Sequence, residues 1–475
     1  NGGQGSDGQV LTSTGSGVAW EAAGGGVTFK QAGTNFTNSL MVGDDSTGTL
    51  DAATGNTALG IDVFAALTSG DNNVVVGFES GNDLTTGSRN TALGANALDK
   101  TTTPNDNTAI GFAAMTANTT GAANTAVGKR ALQTNTTAND NTALGASAMA
   151  ANTEGASNVA VGASSMGANT TASNNTSVGY SSLAACTTGA GNTAVGAIAL
   201  DAITTSADNT AVGHQALTNA SSGAGNTAIG KATMTAVVTG SNNVAVGRYA
   251  LSANTSASNN VAVGINALVT NTTGGNATAV GGEALAANTT GARNTAFGYQ
   301  SSAANTTGYD NVSVGYGSLK TCTTGYNNAI LGYDAQPLST TGYNNTSIGR
   351  SAHLALTTGI SCTAVGFSAG DKITSGSSTT CIGAYADTTS VSSTDANAFG
   401  YNVQGETGYT TVGVNADDIR AAHGNITWAT VSDVRVKKDI EDSTVGLSFI
   451  NDLRPVTFNY KNKGDLPKEF RGYEE

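Results

Sequence analysis

An apolar residue followed by glycine recurs every 17 residues along most of this chain. The glycines begin at Gly43, Gly60, Gly77 and Gly94 and run without insertion to Gly366, Gly383 and Gly400, 22 positions in all. The residue before each is apolar, as at Val127, Leu144, Val161, Val195, Ile229, Phe297 and Phe399. The one before that is nearly always small, as at Ala126, Ala143, Ala160, Ala194 and Ser313. Neighbouring strand residues point to opposite faces, so this pair predicts a short strand buried on both sides. A second apolar pair follows the glycine by three and four residues, as in Ala131 with Leu132, Ala199 with Leu200, and Ala284 with Leu285. Met115, Met149, Met166 and Met234 take the second place in other units. Polar segments such as Asn288-Thr289-Thr290-Gly291 read as turns in which Asn and Gly supply positive φ. Each unit is therefore expected to give two strands and two turns.

A fixed period without insertions is the signature of a solenoid, because one extra residue would put a coil out of register with both neighbours. Equivalent positions then stack at the strand spacing, and the 22 coils make a column about 100 Å long. Asn107, Asn124, Asn141, Asn192, Asn209 and Asn226, which open the repeated strings, would form a ladder of side-chain amides. Helix is excluded twice: the units are rich in Gly, Thr and Asn, and 17 residues do not fit the heptad. The fold class is all-β, a parallel β-solenoid or β-roll.

A coil of this size is thin. Burial of apolar surface at about 25 cal/mol per Å² must offset roughly 1–2 kcal/mol of backbone ordering per residue. A lone roll barely achieves this, and its doubly apolar strand would leave a greasy stripe in water. Several copies around a common axis would cover that stripe, and a homotrimer is the expected arrangement.

Composition sharpens the picture. Glycine supplies 63 residues and proline 4, charged residues are 11%, and the formal net charge is −13. The regular recurrence of Val, Ile, Leu and Thr argues for order rather than disorder. No basic stripe exists, so nucleic acid is not an expected partner. No apolar run reaches the roughly 18 residues of a membrane helix, so membrane insertion is not expected. Cys186, Cys322, Cys362 and Cys381 are too dispersed for a disulfide framework. They fit the repeat instead: Cys186 and Cys322 replace turn asparagines, Cys362 a ladder asparagine, and Cys381 a small core residue. His214, His353 and His423 have no metal-ligand spacing, and neither a metal nor a cofactor is expected.

Strings such as Asn124-Thr125-Ala126-Val127-Gly128 and Asn192-Thr193-Ala194-Val195-Gly196 resemble the head repeats of trimeric autotransporter adhesins. That resemblance, over about residues 40–400, implies a trimeric parallel β-roll. The adhesin repeat is shorter, and an insertion near the Asn-Thr-Thr-Gly turn accommodates the difference.

The ends break the period. Residues 1–25, with Gly5, Gly8 and Trp20, resemble a connector common in phage tail-fibre proteins. Residues 26–404 form the shaft and residues 405–431 a transition. From residue 432 the composition changes sharply and basic residues become frequent. Ser432-Asp433-Val434-Arg435-Val436-Lys437, a following Ile440, and Leu453-Arg454-Pro455-Val456-Thr457-Phe458-Asn459-Tyr460-Lys461 resemble the endosialidase-type intramolecular chaperone of phage tail fibres and tailspikes. That family trimerises, guides the preceding fibre into register and then releases itself. The resemblance implies cleavage between Ser432 and Asp433, with Ser432 as nucleophile, Lys437 as base and Asp433 giving the scissile amide nitrogen. Serine needs such a base, and a lysine serves once burial lowers its pKa. The family domain continues for many tens of residues past this motif. Residues 432–475 are therefore expected to be an incomplete, truncated α+β chaperone segment, with activity reserved for a longer protein.

The expected function is a structural virion tail fibre, extracellular after release, that attaches to the host. Its expected partners are itself, a host cell-surface glycan or protein, and other tail or baseplate proteins through residues preceding Asn1. A bacterial trimeric adhesin is the first alternative and would need a membrane β-barrel anchor. A carbohydrate-cleaving tailspike is the second and would need a carboxylate pair. Asp140, Glu154, Asp208, Glu283 and Asp310 form no repeated close pair in the sequence. Tyr299, Tyr309, Tyr316, Tyr326, Tyr333 and Tyr343 cluster in the later coils, either as stacked ladders that stiffen the surface or as sugar platforms.

Overall fold

The computed structural model describes the backbone of residues 9–13, 18–22, 28–33, 35–43, 47–425 and 429–430, and the side chains of residues 35–43 and 47–425. Those residues form a parallel β-solenoid without a helix. Each coil contributes the predicted strand before its glycine. Thr125–Val127 pairs in parallel with Thr108–Ile110 on one side and Thr142–Leu144 on the other, always with the residue 17 positions away. The same register runs from Phe36–Gly43 to Asn397–Tyr401.

The second strand is not there. Where the sequence predicts it, the backbone alternates into the left-handed region, at Arg130 (φ 58°) and Leu132 (φ 49°). The Arg130 N–H donates back to Phe112 of the preceding coil (2.9 Å), and the Leu132 N–H donates forward to Ala148 of the next (3.0 Å). Left-handed residues break strand alternation, so Ala131 and Leu132 both point inward and both are fully buried. This tight bend closes a thin coil that two flat strands could not close. Left-handed backbone is unfavourable for leucine or methionine, so the stacked hydrogen bonds and core contacts hold it in place. Among the described residues further parallel pairings occur only towards the ends: Phe36 and Thr37 face Ala53 and Thr54 in the first coil, bridges join Tyr343 to Ile360, Ile360 to Ser377 and Ser377 to Thr394, and Asp387–Thr388 pairs with Gln404–Gly405, a short second strand in the last coils.

The core is two facing columns. Ala109, Ala126 and Ala143 stack from the strand, and Met115, Leu132 and Met149 stack from the bend, all fully buried. The repeat glycine is forced by close approach: a Cβ on Gly128 (φ +138°) would lie 2.4 Å from the carbonyl oxygen of Gly145.

The asparagine ladder exists and does more than stack amides. Asn124 is fully buried; its backbone N–H donates to Asn107 Oδ1 (3.0 Å), and its Nδ2 donates to Ala138 O across the coil (2.9 Å). The turn asparagines form a second internal ladder, contrary to their expected role. Asn135 Nδ2 donates to Asn118 Oδ1 (2.9 Å) and to Ala138 O (3.1 Å), and Asn152 Nδ2 donates to Asn135 Oδ1 (2.9 Å). The positive φ falls on other residues, such as Asp140 (φ 59°). The inward amides satisfy carbonyls that a coil this narrow would otherwise bury unpaired.

Three polar islands interrupt the core where serine replaces the inward alanine. Ser177 meets Ser165 (2.7 Å) and Ser182 (2.6 Å). Ser313 meets Ser301 (2.6 Å) and Ser302 (2.7 Å). Ser347 donates to Gln336 Oε1 (2.7 Å) and contacts His353 Nδ1 (2.8 Å). The last two divide the apolar core into segments ending at Ala296, spanning Leu319 to Ala335, and resuming at Ala352.

Antiparallel strands occupy both ends of the ladder. Thr28–Gly33 pairs with Phe36–Gly43 at one end. At the other, Tyr409–Val414 adds in parallel at a step of 13 rather than 17, Asn397 facing Thr410, and Asp417–Ala422 folds back on it. Ahead of the shaft, Gln9–Ser13 and Val18–Ala22 form an antiparallel hairpin with Leu11 opposite Trp20.

Candidate functional site

Strand alternation sends three positions of each coil outward: the residues three before, one before and one after the glycine. The middle column is apolar throughout. Leu144 is 47% exposed, Phe297 55% and Leu331 52%, while the inward Ala143 and Ala296 are fully buried. The first column mixes Thr with Val74, Val159, Val244 and Val312, and the third carries Ile61, Phe78, Phe112, Tyr180 and Ile265, all of these apolar side chains exposed. The strand is thus buried on one face only within a single chain. Its other face is a continuous apolar column, far longer than the isolated hydrophobic residues normal on a soluble surface.

The third column becomes aromatic toward its end. Tyr299, Tyr316 and Tyr333 stack at 5.6 and 5.1 Å, and the Arg350 guanidinium lies between Tyr333 (5.6 Å) and Phe367 (5.8 Å). A separate ladder, Tyr309, Tyr326 and Tyr343, stacks at 4.9 and 4.8 Å with interplanar angles of 5° and 6°. Both match the stacked-ladder alternative. Ring faces in such ladders cover one another, so they offer no open platform to a sugar ring.

Charged groups pair between coils. Arg89 holds Asp106 through two bonds (2.7 and 2.9 Å), and Arg293 holds Asp310 likewise (2.6 and 2.9 Å). Hydrogen bonding to these guanidiniums draws both carboxyls below their ordinary range. Asp387 is different: it occupies an inward position, and burial pushes its carboxyl up to about 6, with Asp371 adding to the shift and the Thr388 N–H and Lys372 opposing it. Its side chain is 1% exposed, so this carboxyl opens into no groove where a polysaccharide could lie. Asp387 therefore does not supply the open carboxylate that the glycosidase alternative needs.

The four cysteines are free and buried. Cys186 Sγ contacts Gly189 O (3.3 Å), the carbonyl contact an asparagine makes elsewhere. Burial pushes the Cys322 thiol up to about 11. Such thiols are poor nucleophiles. Among the described residues no group of three or more His, Cys, Asp or Glu side chains could hold a metal ion.

The residues expected to carry chemistry, Ser432, Asp433 and Lys437, lie outside the described residues, so the structure neither brings them together nor separates them. Their segment is the one that comparison with known proteins reaches. Residues 432–471 match the family model described as the chaperone of endosialidase. The match begins at the expected nucleophile. No curated protein and no solved structure matches the chain. A C-terminal segment similar to the endosialidase chaperone, behind a long β-solenoid, fits a tail-fibre-like protein. Among the described residues no helix is long and apolar enough to cross a membrane.

Sequence reasoning missed the second asparagine ladder and the polar islands. The islands had a readable signal: each serine in the small inward column coincides with Ser, Gln or His at the inward positions of its own or a neighbouring coil.

Proposed function

We propose that this chain is the shaft of a homotrimeric virion tail fibre or tailspike that attaches to the host surface, with its C-terminal segment seeding assembly and releasing itself in the full-length protein. The observation that carries the reading is the outward apolar column. A single chain exposes it at every coil, and a second and third copy of the same face would bury it. Large apolar residues on a flat, regular surface suit such a cyclic contact. The match at residues 432–471 supports self-association, because that family is described as a chaperone. In the longer protein, Lys437 would take the Ser432 hydroxyl proton as that oxygen attacks the carbonyl carbon of the Ser432–Asp433 bond, closing a strained four-membered lactone because both groups belong to one residue. The proton would pass to the Asp433 nitrogen, which leaves as an amine, and water would open the lactone to a Ser432 carboxylate.

The test is the mass of the chain in solution. Leu144→Asp and Leu331→Asp each place a carboxylate in the outward column without touching the core. Sedimentation should give three chains per particle for the parent and a smaller assembly for the double variant. A parent that sediments as a stable solitary chain at micromolar concentration would end the proposal.

A further inference from the structure

Three consecutive coils carry the same surface group, its first tyrosine exposed and the next two half-buried. Thr307-Gly308-Tyr309-Asp310, Thr324-Gly325-Tyr326-Asn327 and Thr341-Gly342-Tyr343-Asn344 occupy one coil position. Elsewhere the tyrosine is replaced by small residues such as Ala122, Ala156, Ser173, Ala190, Ala207 and Ser241. The group precedes the buried ladder residues Asn311, Asn328 and Asn345, and so falls in a different part of the coil from the outward strand face.

Its chemistry is fixed by its neighbours. The rings lie 4.9 and 4.8 Å apart and nearly parallel, with the Arg293 guanidinium 6.0 Å from the Tyr309 ring, so ring edges and phenol hydroxyls are what remain to be offered. Beside them Asn327 Nδ2 donates to Asn344 Oδ1 (3.1 Å), an amide column held in place. The one carboxylate, Asp310, is neutralised by its two bonds to Arg293. The strip is therefore uncharged, and preorganised by stacking, on a chain of net charge −13. Phenol and threonine hydroxyls and amides both donate and accept. They repeat once per coil, about every 4.8 Å. An extended peptide presents same-side groups about every 6.6–6.8 Å and falls out of phase within two coils. A glycan carries hydroxyls on both edges of every ring, so it can meet a hydroxyl and amide column at each coil without an exact match of period.

We propose that this strip docks a neutral, extended glycan running along the stack, with Tyr309, Tyr326 and Tyr343 contacting it through their edges and hydroxyls. The inference deepens the attachment role and rests on it. The experiment titrates the whole chain, in its native association state, with soluble neutral β-linked hexose oligosaccharides of one to six rings, by calorimetry. Binding should strengthen with length until the strip is filled. Tyr326→Ala should weaken it about tenfold, the equivalent of one or two lost hydrogen bonds. The fold tolerates Ala there, since other coils carry it. Tyr249→Ala, at another coil position, should leave binding unchanged. No binding of any oligosaccharide, no dependence on length, or equal loss in both variants would overturn the inference. Sedimentation of the same samples separates the outcomes: three chains per particle without sugar binding sinks this strip alone, whereas a solitary chain sinks the fibre reading.

Discussion

His353 should make the later coils acid-labile. It stands at an inward position that Leu or Met fills in most coils, and it is fully buried. The single proton of the Ser347 hydroxyl goes to Gln336 Oε1, so Ser347 accepts from His353, which places the imidazole proton on Nδ1. Nε2 then carries a lone pair and has no partner. A proton added there would meet no acceptor and would sit in the core. Burial accordingly lowers the His353 pKa from 6.5 to about 3. The sign follows from linkage: the unfolded chain takes up this proton near pH 6.5 and the folded chain does not. Stability from this group is complete above that pH and falls at up to about 1.4 kcal/mol per unit as pH drops toward 3. At pH 4 the loss is roughly 3 kcal/mol.

Asp387 opposes this trend. Its folded pKa is raised to about 6 from 3.8, so it favours folding when protonated, and its contribution is lost as pH rises from the unfolded value through about 6. The contributions of these two groups thus largely cancel between about 4 and 6, and only a difference measurement isolates the histidine. His353→Leu restores the common core residue while Ser347 keeps its bond to Gln336. Hydrogen exchange of the coils between residues 346 and 382, followed from pH 7 to 4, is the local readout. The parent should lose protection relative to the variant by about 1.4 kcal/mol per pH unit below 6.5. Parallel profiles for the two proteins would refute the argument that His353 is held neutral.

Other substitutions probe the stack itself. Gly128→Ala should prevent soluble expression or lower the unfolding temperature sharply, because its Cβ would meet the Gly145 carbonyl at 2.4 Å in a left-handed backbone. Asn141→Leu should cost about 1–3 kcal/mol in denaturant unfolding, since it orphans the buried Asn158 N–H, while Gly155 O keeps its bond from Asn152 Nδ2. Ser313→Ala should destabilise more than an exposed Ser→Ala change, because the buried Ser302 hydroxyl loses its partner while Ser301 keeps Ser313 O and Ser318; replacing Ser302 as well should restore most of the loss. In the longer protein, Ser432→Ala should abolish release of the C-terminal piece, read as a single intact mass; release unchanged by this substitution would remove Ser432 from its proposed role.

What could be read from residue types is what depends on period. The register, the strand before the glycine, the inward alanines, the first asparagine ladder and the outward apolar column all follow from position within 17 residues. The second strand was misread because Ala131 and Leu132 look like any buried strand pair. Left-handed backbone at Arg130 and Leu132 has no signature in residue type, where the usual signals are Gly, Asn and Asp. It is imposed by the need to close a thin coil against its neighbours. Asn135 was misread for the converse reason: its type suits a turn, but its amide is consumed inside the coil by the Ala138 carbonyl. The processing site was legible only as a motif, and nothing about its geometry follows from the sequence.

The hydrogen-bond pattern bears on why such a shaft would need help to assemble. No coil satisfies itself: the Arg130 N–H bonds backward, the Leu132 N–H forward, and Asn124 spans both the preceding ladder asparagine and its own coil. Intrachain order therefore propagates coil by coil and tolerates no gap. Between chains the situation reverses. The outward column repeats Val, Leu or Ile for many coils, so a copy displaced by one whole coil meets nearly the same surface, and register is weakly specified. Distinguishing features gather late, in the aromatic column from Tyr299 to Phe367. Alignment set near that end and propagated away from it would avoid the degenerate stretch, and the segment similar to the endosialidase chaperone begins at residue 432, just beyond it in the chain.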